Sequence, residues 1–184
     1  MKLDRKQKSF IRNLLNLAKE GQENRGALAD LRSGLGREPA EMSRVHRHVV
    51  QYLPEKDDND PWYYLIATLF GAFPQHRQGR SLGAAFSPLR QKSGSMETRF
   101  IALLNAHSDD LGDHLRHVIS LLRANEQPFD WFQFFWDLLE WDRADGRVQL
   151  GWARDYYRSE PGETGSATVQ NDSRTTRQEV EDHE

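Results

Sequence analysis

The amino-acid sequence predicts an all-α protein: a compact multi-helix bundle made of two packed sub-bundles, roughly residues 1–95 and 96–158. Three observations point there. Apolar residues recur at three- and four-residue spacing in most segments of the chain. Helix start and stop residues fall at the ends of those segments. No stretch shows the apolar–polar alternation, bounded by hairpin turns, that a strand would need.

Taken in order, Phe10, Ile11, Leu14, Leu15 and Ala18 mark an amphipathic helix over 3–20, ending before Gly21. Residues 25–33 form a short second helix with Leu28 and Leu31 inward, stopped by Gly34 and Gly36. Arg25 and Arg32, seven apart, project from about the same face. A third helix covers 41–52 and is ended by Pro54 and the acidic turn 55–60. Asp60 at the cap and Pro61 in the first turn start the next, apolar through Phe70 and stopped at Pro74. Ser81–Phe86 is a short helix interrupted at Ser87-Pro88. Phe100, Leu103 and Leu104 place a core face on 96–106. Ser108 is the expected cap of the helix carrying Leu111, Leu115, Val118, Ile119 and Leu122. Asp130 caps another, with Gln133 as capping-box partner and Phe132, Phe135, Trp136 and Leu139 as the apolar set. The last helix spans 147–158 with Val148, Leu150, Trp152 and Tyr156.

Charge is unevenly spread. The net charge is −3, but residues 159–184 hold seven acids and two bases, which leaves 23 basic and 21 acidic residues over 1–158. The same tail has only Ala167, Val169 and Val180 as apolar residues, too few to offset its ordering entropy, and is expected to be disordered. By contrast, the thirty-six residues from Pro61 to Met96 contain no Asp or Glu. An apolar helix leading into Arg77, Arg80, Arg90 and Lys92 would set positive charge on one side of the domain, as a phosphate backbone requires. The alternative is a solvated loop neutralised by carboxylates from elsewhere.

Cysteine is absent, which excludes disulfides, thiolate chemistry and cysteine-ligated zinc, and fits a cytoplasmic protein. No run of eighteen apolar residues predicts a membrane span, and Met1–Lys8 is charged rather than signal-like. Asp110 with His114 and Asp113 with His117 sit four apart, a spacing open to metal ligation or a small hydrolase. No second ligand cluster supports them, and no metal or cofactor is expected. His46-Arg47-His48 alternates around a helix and does not converge. Asp137, Glu140 and Asp142 read as the solvated side of a core helix. No residues present a positive case for catalysis. Most of the five tryptophans are expected in the core. Trp141, beside Asp142 and Arg143, is the candidate for base stacking.

Arg25-Gly26-Ala27-Leu28-Ala29-Asp30-Leu31-Arg32 resembles the N-terminal signature of the CasB family, the small subunit of the type I-E CRISPR surveillance complex, Cascade. The likeness continues through Trp62–Phe70, Ser81-Leu82-Gly83, Arg99-Phe100 with Leu103-Leu104, and Leu115 to Leu122. Asp130-Trp131, Asp137-Leu138, Trp141 and Trp152-Ala153-Arg154-Asp155-Tyr156 complete it. It spans roughly 10–157. Gln149-Leu150-Gly151 carries less positive charge than the family pattern, and the tail lies outside it. The resemblance implies a non-catalytic helical subunit, present in two copies. Its partners would be the backbone and large subunits of a crRNA-guided complex and the single-stranded non-target strand of target DNA. The nucleic-acid-binding candidates are Arg25, Arg32, Arg77, Arg80, Arg90, Lys92, Arg99 and Arg116, with Arg143 and Arg147 weaker. Glu97 or Asp113 would compete for Arg99, and Asp113 or Asp109 for Arg116. A helical adaptor whose basic face meets an acidic protein is the rival reading.

Overall fold

The structure, a computed structural model, describes residues 3–19, 25–55 and 60–158; the tail expected to be disordered lies outside them. Among the described residues the protein is all-α, with an isolated bridge between His76 and Phe129.

Helix α1 (Arg5–Leu17) starts in a capping box. Asp4 accepts from the Gln7 backbone N–H at 2.7 Å, and Gln7 Oε1 accepts from the Asp4 N–H at 2.8 Å. Its buried face is Phe10, Ile11 and Leu14. Helix α2 (Arg25–Ser33) follows the predicted bounds. The third predicted helix is broken. A 3₁₀ turn at Pro39–Glu41, α3 at Ser43–Val49 and a second 3₁₀ turn at Val50–Tyr52 replace it. Met42 leaves the helical region (φ −95°, ψ 45°) with its side chain buried, which interrupts the ladder.

Helix α4 (Asp60–Ala72) is the centre. Eight of its thirteen residues are buried, so it is apolar nearly all round, as a helix enclosed by others must be. Asp60 is its first helical residue rather than its cap. Around it lie α2, α3, α7 (Ser108–Ala124) and α8 (Trp131–Leu139). Position 107 is the cap of α7, and Ser108 already belongs to the helix. Asp130 caps α8 as predicted, accepting from Phe132 N at 2.9 Å and Gln133 N at 3.3 Å, but the expected capping box does not close, because the Asp130 N–H donates to Arg80 O at 2.8 Å rather than to the Gln133 side chain.

The remaining layer is α5 (Leu82–Phe86) with its 3₁₀ extension Ser87–Gln91, α6 (Gly94–Leu104) and α9 (Arg147–Tyr157). Helix α5 packs on α9, across the position near 95 where the sequence suggests a sub-bundle boundary. The approach is close: a Cβ on Gly83 would lie 2.2 Å from the Trp152 carbonyl oxygen. Only glycine fits there. Ser81 joins the same two helices, accepting from Ala84 N at 3.1 Å and donating to Asp155 Oδ2 at 2.6 Å. One apolar cluster runs from Leu3 to Tyr156 through all these elements.

Candidate nucleic-acid interface

The acid-free stretch leaves α4 at Ala72 and is immediately tied to the segment before α8. Arg77 N donates to Phe129 O at 2.9 Å, Asp130 N to Arg80 O at 2.8 Å, and Gly79 N to Asp130 Oδ2 at 2.7 Å. Trp131 Nε1 donates to Gln75 O at 2.8 Å. These hydrogen bonds pin the loop to the segment 129–131, and its two arginines have different surroundings. Arg77 is exposed. Arg80 is half-buried and donates to Gln127 Oε1 at 2.8 Å and to the carbonyls of Pro128 and Ala84 at 3.3 Å. Its guanidinium closes the loop against α5 and the α7–α8 connection.

Helix α2 brings two more candidates to this end of α4. A Cβ on Gly71 would lie 2.7 Å from Arg32 N, and one on Gly34 2.8 Å from Thr68 Cγ2. Position 32 thus faces 71 while 34 faces 68, so the helices run antiparallel. Arg32 Nε donates to Gly71 O at 3.0 Å, at the negative end of the α4 dipole. Arg25 lies two turns earlier on α2, exposed.

Arg90 and Lys92 sit on and after the 3₁₀ turn. The Arg90 guanidinium carbon lies 5.8 Å from the Tyr156 ring centroid and 5.9 Å from that of Tyr157. Lys92 Nζ donates to Asn125 Oδ1. Lys92 and Arg80 therefore both meet the connection 125–128 that follows α7. Arg99 is exposed on α6, on the rim of a groove of about 440 Å³ that it shares with Asp113, His114, His117 and Leu121 of α7. Arg116 is elsewhere. It forms an ion pair with Asp113, its guanidinium lies beside Gly36, and both arginine and aspartate line a second cleft with Trp62, which adjoins the Arg99 groove at Asp113.

Partnering separates the candidates further. Among the described residues, Arg77, Arg90, Lys92 and Arg99 have no carboxylate within 4.0 Å, whereas Arg47, Arg116, Arg143, Arg147 and Arg158 do. Arg143 and Arg147 share Glu140. The pairs expected for Arg99 do not form, because Glu97 instead accepts from the Tyr157 hydroxyl at 2.8 Å and Asp113 is held by Arg116.

Asp113, His114 and His117 share the groove beside Arg99, and Asp110 is exposed. Among the described residues no group of three or more His, Asp or Glu is placed to hold a metal ion. His46 Nδ1 meets the Tyr64 hydroxyl at 2.8 Å, while His48 Nε2 lies 3.6 Å from Asp30. The two histidines diverge, and Arg47 joins His48 at Asp30. Burial, then the Arg47 charge, pushes the His48 pKa down.

Residues 27–157 match the sequence family described as CRISPR-associated protein Cse2. A CRISPR-associated protein Cse2 of Thermus thermophilus is 33% identical over 135 residues, covering 71% of this chain and 78% of the relative. The chain belongs to the Cse2 family. A crystal structure of a Cse2-family protein, also from Thermus thermophilus, superposes with a TM-score of 0.71 at 32% identity, covering 82% of this chain and 97% of that one. CasB of M. ruber gives 0.65 at 28% identity, covering 83% and 93%. A chain of a structure described as a CRISPR RNA-guided surveillance complex gives 0.69 at 25% identity, covering 84% and 92%.

In this Cse2-family chain, several residues that carry the resemblance are packing residues, and three sequence expectations are corrected. The buried stripe of α8 is Trp131, Phe134, Phe135 and Leu138, one position away from the expected set. Trp136 is consequently half-buried, with Arg147 6.0 Å from its ring. Trp141, expected as a stacking surface, is 2% exposed and donates through Nε1 to Ala106 O at 3.1 Å. Asp137, expected in solvent, is buried and accepts from Trp152 Nε1 at 2.7 Å. The spacing 130, 134, 137, 141 is a helical stripe and could have revealed this; the carboxylate disguised it.

Proposed function

We propose that this Cse2-family protein is a non-catalytic small subunit of a type I-E CRISPR RNA-guided surveillance complex, Cascade, and holds the backbone of single-stranded target DNA. The observation that carries the reading is the set Arg77, Arg90, Lys92 and Arg99. These cations are set on fixed elements and, among the described residues, have no carboxylate partner. Exchange of a DNA duplex for an RNA–DNA heteroduplex is nearly balanced, so contacts to the phosphates of the displaced strand tip it. A basic track suffices, because the guide reads the sequence. Arg25 and Arg32 extend the track along α2. Arg80 supports it by fixing the loop that carries Arg77. Arg116 is neutralised by Asp113 and lines the adjoining cleft with Trp62. The partners in this reading are the backbone and large subunits, a second copy of the chain, and the non-target strand, in the cytoplasm.

Replacing Arg77, Lys92 and Arg99 together with Ala tests it. Binding to single-stranded DNA should weaken by an amount nearly independent of base sequence. The log–log salt slope should become shallower by roughly 2 units, at ~0.7 per phosphate contact. In the assembled complex the variant should incorporate and show less stable strand displacement. Lost incorporation with unchanged DNA affinity assigns this face to a protein partner. An unchanged slope with normal strand displacement overturns the basic track.

A further inference from the structure

Tyr157 is 44% exposed, the aromatic one among the large apolar side chains that face solvent in the described residues. It is not loose. Its hydroxyl donates to Glu97 Oε1 of α6 at 2.8 Å. Its ring meets that of Tyr156 edge-on, with centroids 4.8 Å apart and an interplanar angle of 82°. Tyr156 is itself buried and stacked on Phe100 at 4.1 Å. Arg90, from the 3₁₀ turn, approaches both tyrosine rings. Groups from three elements thus fix one aromatic ring at the surface next to an arginine that has no carboxylate partner among the described residues.

We infer that Tyr157 is a stacking site for an unpaired nucleobase, with Arg90 directed at a flanking phosphate. This rests on the proposed single-strand binding and adds the base as a recognised group. A π-face accepts any base, so the contact adds affinity without sequence preference, in keeping with a subunit that follows a strand of arbitrary sequence. Because the ring is already oriented, little rotamer freedom is lost on stacking. Charge selects the occupant: the arginine suits a phosphate-linked base rather than a neutral apolar ligand. Glu97 is engaged by the Tyr157 hydroxyl.

The test compares the full chain on a labelled oligothymidylate and on an abasic strand of equal length, at one salt concentration. The base-bearing strand should bind about 5- to 150-fold tighter, the range expected for one stacked base. Tyr157→Ala should reduce that preference to within about twofold and leave abasic affinity unchanged. Tyr157→Leu, which keeps apolar cover over Tyr156 but lacks a π-face, should behave like Tyr157→Ala. Tyr157→Phe should retain most of the preference. Equal affinity of the parent for the two strands overturns the stacking site and leaves the phosphate track standing. So does a preference that survives both the Ala and Leu substitutions. Failure of the parent to bind either strand overturns the track, and the stacking site with it.

Discussion

Trp152 Nε1 donates to Asp137 Oδ2 at 2.7 Å inside the core, joining α9 to α8. Burial pushes the Asp137 carboxyl up to about 7. The indole hydrogen bond opposes the shift, Asp155 and Asp130 add to it, and Arg147 reduces it. In the unfolded chain the same group titrates near 4. The native state therefore holds the proton more tightly between about pH 4 and pH 7, and stability falls as pH rises through that window.

Asp137→Asn keeps an oxygen to accept from Trp152 and removes the titration. From pH 5 to pH 8 the parent should lose about 2–3 kcal/mol through this group. The variant should lack that loss and be the more stable protein at pH 8. Urea unfolding at the two pH values measures it. Parallel stability profiles for parent and variant would show that Asp137 does not titrate in this range.

The two tryptophans of the α8 region should respond in the order that burial dictates. Trp141→Ala empties an enclosed volume and orphans the Ala106 carbonyl, for a loss of roughly 3–5 kcal/mol. Trp136→Ala should cost about half as much, since the ring is already partly in water and touched by Arg147. Thermal denaturation of both variants decides; the reverse order would restore Trp136 to the core.

Arg80 and Arg77, three residues apart, should separate stability from binding. Arg80→Ala removes the guanidinium that donates to the Pro128 and Ala84 carbonyls and to Gln127 Oε1, a loss of about 1–3 kcal/mol. Arg77→Ala should stay within about 0.5 kcal/mol of the parent and weaken single-stranded DNA binding. Urea midpoints and oligonucleotide titrations of each variant distinguish them. A stable Arg80 variant with lost binding would make Arg80 a strand contact.

The sequence by itself determined the helical class and the order of the elements, because apolar spacing and capping chemistry are local. Asp130 and the Phe10–Leu14 stripe were legible for that reason. So was the acid-free stretch, since an absence of carboxylates needs no fold to be seen. The tertiary structure decided which charges face solvent and which are sealed in. Arg77 and Arg80 are alike in sequence, yet one is exposed and the other clamps a loop, because α8 and its preceding segment come from about fifty residues away. Asp137 and Trp141 entered the core for a similar reason. A helix facing neighbours on several sides buries more than its most apolar stripe, and a carboxylate is tolerated there once an indole N–H from another helix meets it. Such pairings depend on contacts distant along the chain, which no local pattern encodes.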